Sequence, residues 1–96
     1  MSKITIVARV VAKKAAVEAV KTELLKLIAP TRKERGCIEY RLHQDNQDPA
    51  VFLFYETWED AGSLDKHINT GHYHAYVRAV SEMIEEKVVN KMTRLE

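Results

Sequence analysis

At 96 residues, 46% hydrophobic and 30% charged, the chain has the composition of an ordinary soluble globular protein and room for one small domain, taken as residues 1–96. Its 15 basic and 14 acidic residues leave a formal charge of +1, so no net field draws a nucleic acid or an anionic membrane, and neither partner is expected. The single cysteine, Cys37, excludes an internal disulfide, and the lack of a leader-like apolar run or a span-length segment places the chain in the cytoplasm.

Ile4 to Ala12 is rich in β-branched residues and puts Ile4, Ile6, Ala8 and Val10 on one face, which predicts a strand. Its other face, with Val7 and Val11, is too apolar for plain solvent. From Ala15 the period changes to that of an amphipathic helix, with Val17, Val20, Leu24, Leu27 and Ile28 in one stripe. Pro30 is expected to kink or interrupt this helix, and Gly36 to terminate it. Ile38, Tyr40 and Leu42 then alternate with Glu39, Arg41 and His43 as a strand with one buried side. A turn at Asp45 to Pro49 leads into Val51 to Trp58, apolar on both faces for most of its length and so a central strand. Glu59 to Ser63 ends that strand, and Leu64 to Asn69 fits a short helix. Thr70-Gly71 breaks it before a longer helix from His72 to about Ile84, and the stretch from Val88 to Leu95 alternates as a closing strand.

Strand, helix, strand, strand, helices, strand is the order of an α+β, ferredoxin-like split βαβ sandwich, an antiparallel sheet with helices on one face. The uncovered face carries more apolar surface than a small monomer usually exposes. A homodimer packed sheet against sheet is therefore expected.

The stretch from Phe54 to Tyr76 gathers Tyr55, Trp58, His67, His72, Tyr73, His74 and Tyr76, the materials of a small-molecule pocket in which aromatic walls hold a flat ligand and ionisable groups move its protons. Five blocks carry a resemblance. They are Leu27-Ile28-Ala29-Pro30-Thr31, Glu34-Arg35-Gly36-Cys37-Ile38-Glu39-Tyr40, Tyr55-Glu56-Thr57-Trp58-Glu59, Leu64-Asp65-Lys66-His67 and Thr70-Gly71-His72-Tyr73-His74-Ala75-Tyr76. Together they resemble the signature of the antibiotic biosynthesis monooxygenase family, nearest to its small quinol monooxygenases. The resemblance implies a dimeric α+β barrel of two ferredoxin-like domains. It also implies oxidation of a small aromatic substrate (quinol, anthrone or phenol) by O₂ without metal, flavin or haem.

That chemistry suits the residues. A phenolic substrate reacts slowly with O₂ while protonated, but its anion is a good one-electron reductant, so a base, a dry cavity and positioning suffice. His67 is the first candidate for the base, since imidazole titrates near neutrality and its position matches the family's histidine. Glu56 and Trp58, two apart, share a strand face: the indole is expected to wall the pocket and the carboxylate to orient a histidine or hold the ligand hydroxyl, so both join His67 as catalytic candidates. Phe54, Tyr73 and Tyr76 are expected to contact substrate, and His72, at a helix start, to stabilise an anion. Each has a plainer reading: Trp58 and Tyr76 as core or interface aromatics, His67 as a surface or capping residue, Glu56 as the buried partner of Arg9 or Arg41, and His74 as exposed.

No metal site is expected, because His67, His72 and His74 lack same-face pairing across the Gly71 break and no close acidic ligand completes a set. Ser63, Ser81 and Cys37 lack the settings of nucleophiles. Haem-degrading relatives place an Asn on the first strand, absent here, and a ligating histidine where this chain has Val77. Two alternatives stay open: an isomerase or degradation enzyme for a phosphorylated autoinducer-type sugar, suggested by His67-Ile68-Asn69-Thr70-Gly71-His72-Tyr73, and a non-catalytic dimer that binds a small molecule.

Overall fold

Alternation along the first strand decides which side of the sheet becomes the core. In the computed structural model, which describes residues 2–96, strand β1 (Ile4–Ala12) buries Ile6, Ala8, Val10 and Ala12 on one face. Against that face lies helix α1 (Val17–Arg32), entered through a short 3-10 turn at Lys14–Ala16, with Val20, Leu24 and Leu27 turned inward as their spacing requires. Strands β2 (Cys37–Gln44) and β3 (Val51–Trp58) follow, then helices α2 (Ala61–His67) and α3 (Gly71–Ala79) and strand β4 (Ile84–Met92). The four strands form one antiparallel sheet in the order β2-β3-β1-β4, the expected ferredoxin-like arrangement.

Register carries the inward face across the sheet. Tyr40 of β2 stands opposite Glu56 of β3, which stands opposite Ile6 of β1, which stands opposite Lys91 of β4. Phe54, Ala8 and Val89 form the next row. Of the charged residues that this face buries, Glu56 is the one on the sheet, an arrangement that a merely structural core rarely tolerates.

Several boundaries differ from those the sequence predicts. Pro30 does not interrupt α1, because it sits in the last turn, where few helical bonds remain to be lost; Thr31 is fully buried just beyond it, and Arg32 donates to the Tyr40 carbonyl at 2.9 and 3.2 Å. Helix α2 starts three residues before Leu64, because the Asp60 side chain caps it by accepting from Ser63 N at 2.8 Å. Helix α3 stops at Ala79 rather than near Ile84, and β4 begins at Ile84 rather than Val88. There Ile84 pairs with Ala12 across a register shift, so the charged stretch after it serves an edge strand. β4 ends at Met92, short of Leu95.

The face away from the helices presents Val7, Val11, Val51, Leu53, Tyr55, Val88 and Met92, flanked by the ion pairs Arg9–Glu86 and Arg41–Glu39. Among the described residues no helix is long and apolar enough to cross a membrane.

Candidate active site

A cavity of about 400 Å³ opens between the inward face of the sheet and helices α2 and α3. Its floor is Ile6, Ala8, Val10 and Phe54, and the small Ala8 side chain at mid-sheet gives it depth. Tyr73 and Tyr76 from α3, with ring centroids 6.0 Å apart, form the wall that their three-residue spacing predicts. Phe54 lies stacked on Tyr40 at 4.4 Å.

His67, at the end of α2, reaches into this cavity and is almost wholly enclosed, its ring 4.8 Å from Trp58 and 5.1 Å from Tyr73. Its Nδ1 lies 2.8 Å from Oε2 of Glu34, and Nε2 of His72 lies 2.6 Å from the same oxygen. A carboxylate oxygen accepts, so each nitrogen donates. Neutral His67 therefore carries its hydrogen on Nδ1, leaving Nε2, which has no protein partner among the described residues, as a proton acceptor on the cavity side. Burial pushes the His67 pKa below the ordinary imidazole value, the hydrogen bond and charge of Glu34 oppose that shift, and the His72 charge adds to it. The imidazole is thus held neutral at physiological pH, the state a general base needs.

Glu56, which also lines the cavity, accepts a hydrogen bond from Trp58 Nε1–H at 2.9 Å. Burial raises its carboxyl to about 7, against the pull of the Trp58 hydrogen bond and the Lys87 charge, while the Glu34 charge pushes it further up. The cavity therefore holds a neutral imidazole and a carboxyl that is partly protonated at neutral pH, a pairing chemically able to move protons in both directions.

Several expected roles change place. Trp58 is fully buried behind His67 and does not line the cavity; its indole positions Glu56 and the imidazole. Glu56 pairs with neither Arg9 nor Arg41, whose partners lie on the opposite sheet face. His72 does not line the cavity either, because Glu34 holds it outside. His74 is exposed, as a position two residues from His72 on a helix should be. Burial, followed by the charges of Glu34 and Glu56, lifts the Cys37 thiol to about 11, which leaves it a poor nucleophile.

Three residues escape the sequence reading. Glu34 belongs to a quoted block but meets His67 across 33 positions, so no periodicity announces the contact. Tyr40 reads as an ordinary inward strand residue. Lys87, placed by sequence before the last strand, belongs to β4 and donates to the Tyr73 hydroxyl at 3.0 Å.

Glu34 also corrects the expectation that no acidic ligand stands near the histidines: its carboxylate and the nitrogens of His67 and His72 lie within 4.8 Å of one another, a set able to hold a metal ion. The 2.6 and 2.8 Å separations within the set are those of hydrogen bonds, with a proton on each nitrogen.

The antibiotic biosynthesis monooxygenase family model matches residues 3–79. PA3566 from Pseudomonas aeruginosa superposes with a TM-score of 0.96 at 33% identity, covering 100% of this chain and 97% of that one. Rv0793 from Mycobacterium tuberculosis, which bears the name "Putative monooxygenase Rv0793", is 30% identical over 87 residues, 91% of this chain and 85% of its own. Its structure superposes with a TM-score of 0.92, covering 99% of this chain and 97% of that one. The Synechocystis protein sll1783, of uncharacterized function, is 31% identical over 68 residues, 71% of this chain; the match takes in 46% of that relative, so this chain spans about half its length. The family's pattern runs from the first strand to the end of α3, through the segments that bring Glu34, Glu56 and His67 together, and the chain belongs to the antibiotic biosynthesis monooxygenase family.

Proposed function

We propose that the protein is a cofactor-independent monooxygenase acting on a small aromatic substrate of the quinol, anthrone or phenol type with O₂. The observation that carries this reading is His67: a buried imidazole whose Nδ1 is tied to Glu34 at 2.8 Å and whose Nε2 faces a largely apolar cavity. Nε2 takes the substrate's acidic proton, and Glu34 stabilises the imidazolium that results. The substrate anion gives one electron to O₂, the two radicals combine at carbon as a peroxide anion, and the His67 imidazolium returns its proton to give the hydroperoxide. On a ring CH or an activated CH₂ carbon this loses water: neutral His67 removes the carbon's hydrogen, the O–O bond breaks to leave a carbonyl, protonated Glu56 gives its proton to the departing hydroxide, and the proton taken up by His67 then returns to Glu56. Phe54, Tyr73 and Tyr76 hold the ring, Trp58 sets Glu56, and His72 steadies Glu34.

The floor favours an aromatic over a sugar, because Ile6, Ala8, Val10 and Phe54 offer no hydrogen bonds to a polyol. Oxygen consumption with a panel of hydroquinones and phenols, chelator present throughout, is the test. Uptake with at least one member, undiminished by chelator, is expected. Activity that vanishes with chelator and returns with metal would transfer the role of the Glu34, His67 and His72 set to a metal ion, and ligand-induced melting shifts without any oxygen uptake would make the protein a binding module.

The same reading takes the chain as one cytoplasmic domain, residues 1–96, forming a homodimer through the apolar sheet face. Sedimentation at micromolar concentration is then expected to give a species of twice the 11.0 kDa chain mass, and a purely monomeric species would exclude the barrel.

A further inference from the structure

The polar groups of the cavity are unevenly placed, and the inference rests on that asymmetry together with the aromatic-substrate reading above. On the sheet's inward face β4 presents Lys87, Val89 and Lys91, opposite Val10, Ala8 and Ile6 of β1, and all three β4 residues line the cavity. The two lysines stand at either end of its mouth, about 13 Å apart along the strand. Among the described residues neither forms an ion pair.

Lys87 is not a freely solvated side chain. Its Nζ donates to the Tyr73 hydroxyl at 3.0 Å and stands 5.6 Å from the centre of that ring, which itself packs 5.1 Å from His67. Tyr73 thus draws the ammonium over the cavity, close enough for its charge to act on buried Glu56. An ammonium has three donors and Tyr73 takes one, so two remain for a ligand. Asp65 of α2 also lines the cavity and pairs with neither lysine, so the lining includes two positive charges and one negative beside the carboxyl of Glu56.

We propose that the substrate is a hydroxylated aromatic acid: its ring lies on Ala8 and Phe54, the hydroxyl to be ionised meets His67, and a second, permanently anionic substituent, carboxylate or phosphate, pairs with Lys87 and is drawn in by Lys91. A neutral quinol fills the same apolar floor but leaves the Lys87 donors to water. A charge-assisted hydrogen bond of this kind corresponds to a preference of roughly 10- to 100-fold in Kd.

Calorimetric titration with ligands that cannot be oxidised separates this inference from the oxygenase reading. 2-Naphthoate and 2-naphthyl phosphate are compared with neutral 2-naphthamide, and ribose 5-phosphate reports anion binding without a ring. The wild type is expected to bind at least one aromatic anion about 10-fold or more tightly than the amide, with that preference shrinking between 50 and 300 mM salt, and to bind the sugar phosphate weakly. Lys87→Met, which keeps the stem, is expected to abolish the preference while the amide still binds and the protein stays folded, and Lys91→Met to reduce it. Equal or tighter binding of the amide, a preference that survives Lys87→Met, or ribose 5-phosphate binding as tightly as the naphthyl anions would overturn the proposal. An intact preference in a protein that consumes no oxygen would leave the anion site standing and remove the oxygenase reading.

Discussion

His67→Ala is expected to lower turnover by about 10²-fold or more, the usual scale for a lost general base, with the fold and sheet contacts retained. The pH profile supplies the independent reading. A base must be neutral to accept a proton, so the rate falls as pH drops through the His67 pKa. Because burial places that pKa below 6.5, the acid limb is expected below the ordinary imidazole value, and it should disappear in the alanine variant. Glu34→Gln separates orientation from charge. The amide oxygen can still accept from Nδ1–H but no longer stabilises imidazolium, so turnover should fall by roughly 10-fold or more while the acid limb moves to still lower pH. Near-wild-type turnover in His67→Ala, with an unchanged profile, would place the base elsewhere.

A second large effect is expected in stability. Burial pushes the folded Glu56 carboxyl up to about 7, against 4.5 for an ordinary glutamate, so the fold favours its protonated form. The sign follows from linkage: the contribution is fully present below the unfolded value and is lost as pH rises through the folded one, amounting to about 3 kcal/mol above neutrality. Glu56→Gln stays neutral at every pH and keeps an oxygen to accept the Trp58 N–H. Urea unfolding is therefore expected to show the variant about 3 kcal/mol more stable than wild type at pH 8 and nearly equal to it at pH 4. His67 acts in the opposite sense, since its folded pKa is depressed; its contribution is complete above 6.5 and is lost as pH falls below that value. The Gln variant retains that loss and should show it more plainly. A Glu56→Gln difference that is the same at pH 4 and pH 8 would mean that the buried carboxyl is not the source.

The legible parts of this fold are those in which the residues that define an element lie next to one another. The β-branched alternation of β1, the two-sided apolar run of β3, and the stripe through Val20, Leu24 and Leu27 are local patterns that the core then uses. Glu82 to Lys87 carries no such pattern; the helical reading runs on to about Ile84, and only the pairing of Ile84 with Ala12 makes part of the segment a strand. In the site, the aromatic and histidine cluster is visible because α2 and α3 concentrate it in one stretch. The Glu34 contact is not, because the topology of the sheet, and nothing in the neighbouring sequence, brings the end of α1 to α2. Trp58 shows a further limit. Sharing a face with Glu56 was enough to join the two side chains by a hydrogen bond, but strand periodicity does not report depth, and the indole lies beneath the imidazole instead of beside the ligand.

Gly36 gives this assembly a property of its own. It adopts φ 92°, its carbonyl accepts from Glu59 N at 2.8 Å, and a Cβ there would collide with the Ser63 side chain. The segment that delivers Glu34 is thereby pressed against the segment that opens α2 and delivers His67. The proposed base and its carboxylate partner are thus aligned by a single backbone seam, while the main core lies between α1 and the sheet. Parting of that seam on warming would uncouple Glu34 from His67 with every strand still paired, so the proposed oxygen uptake is expected to be lost at a lower temperature than the one at which the protein melts.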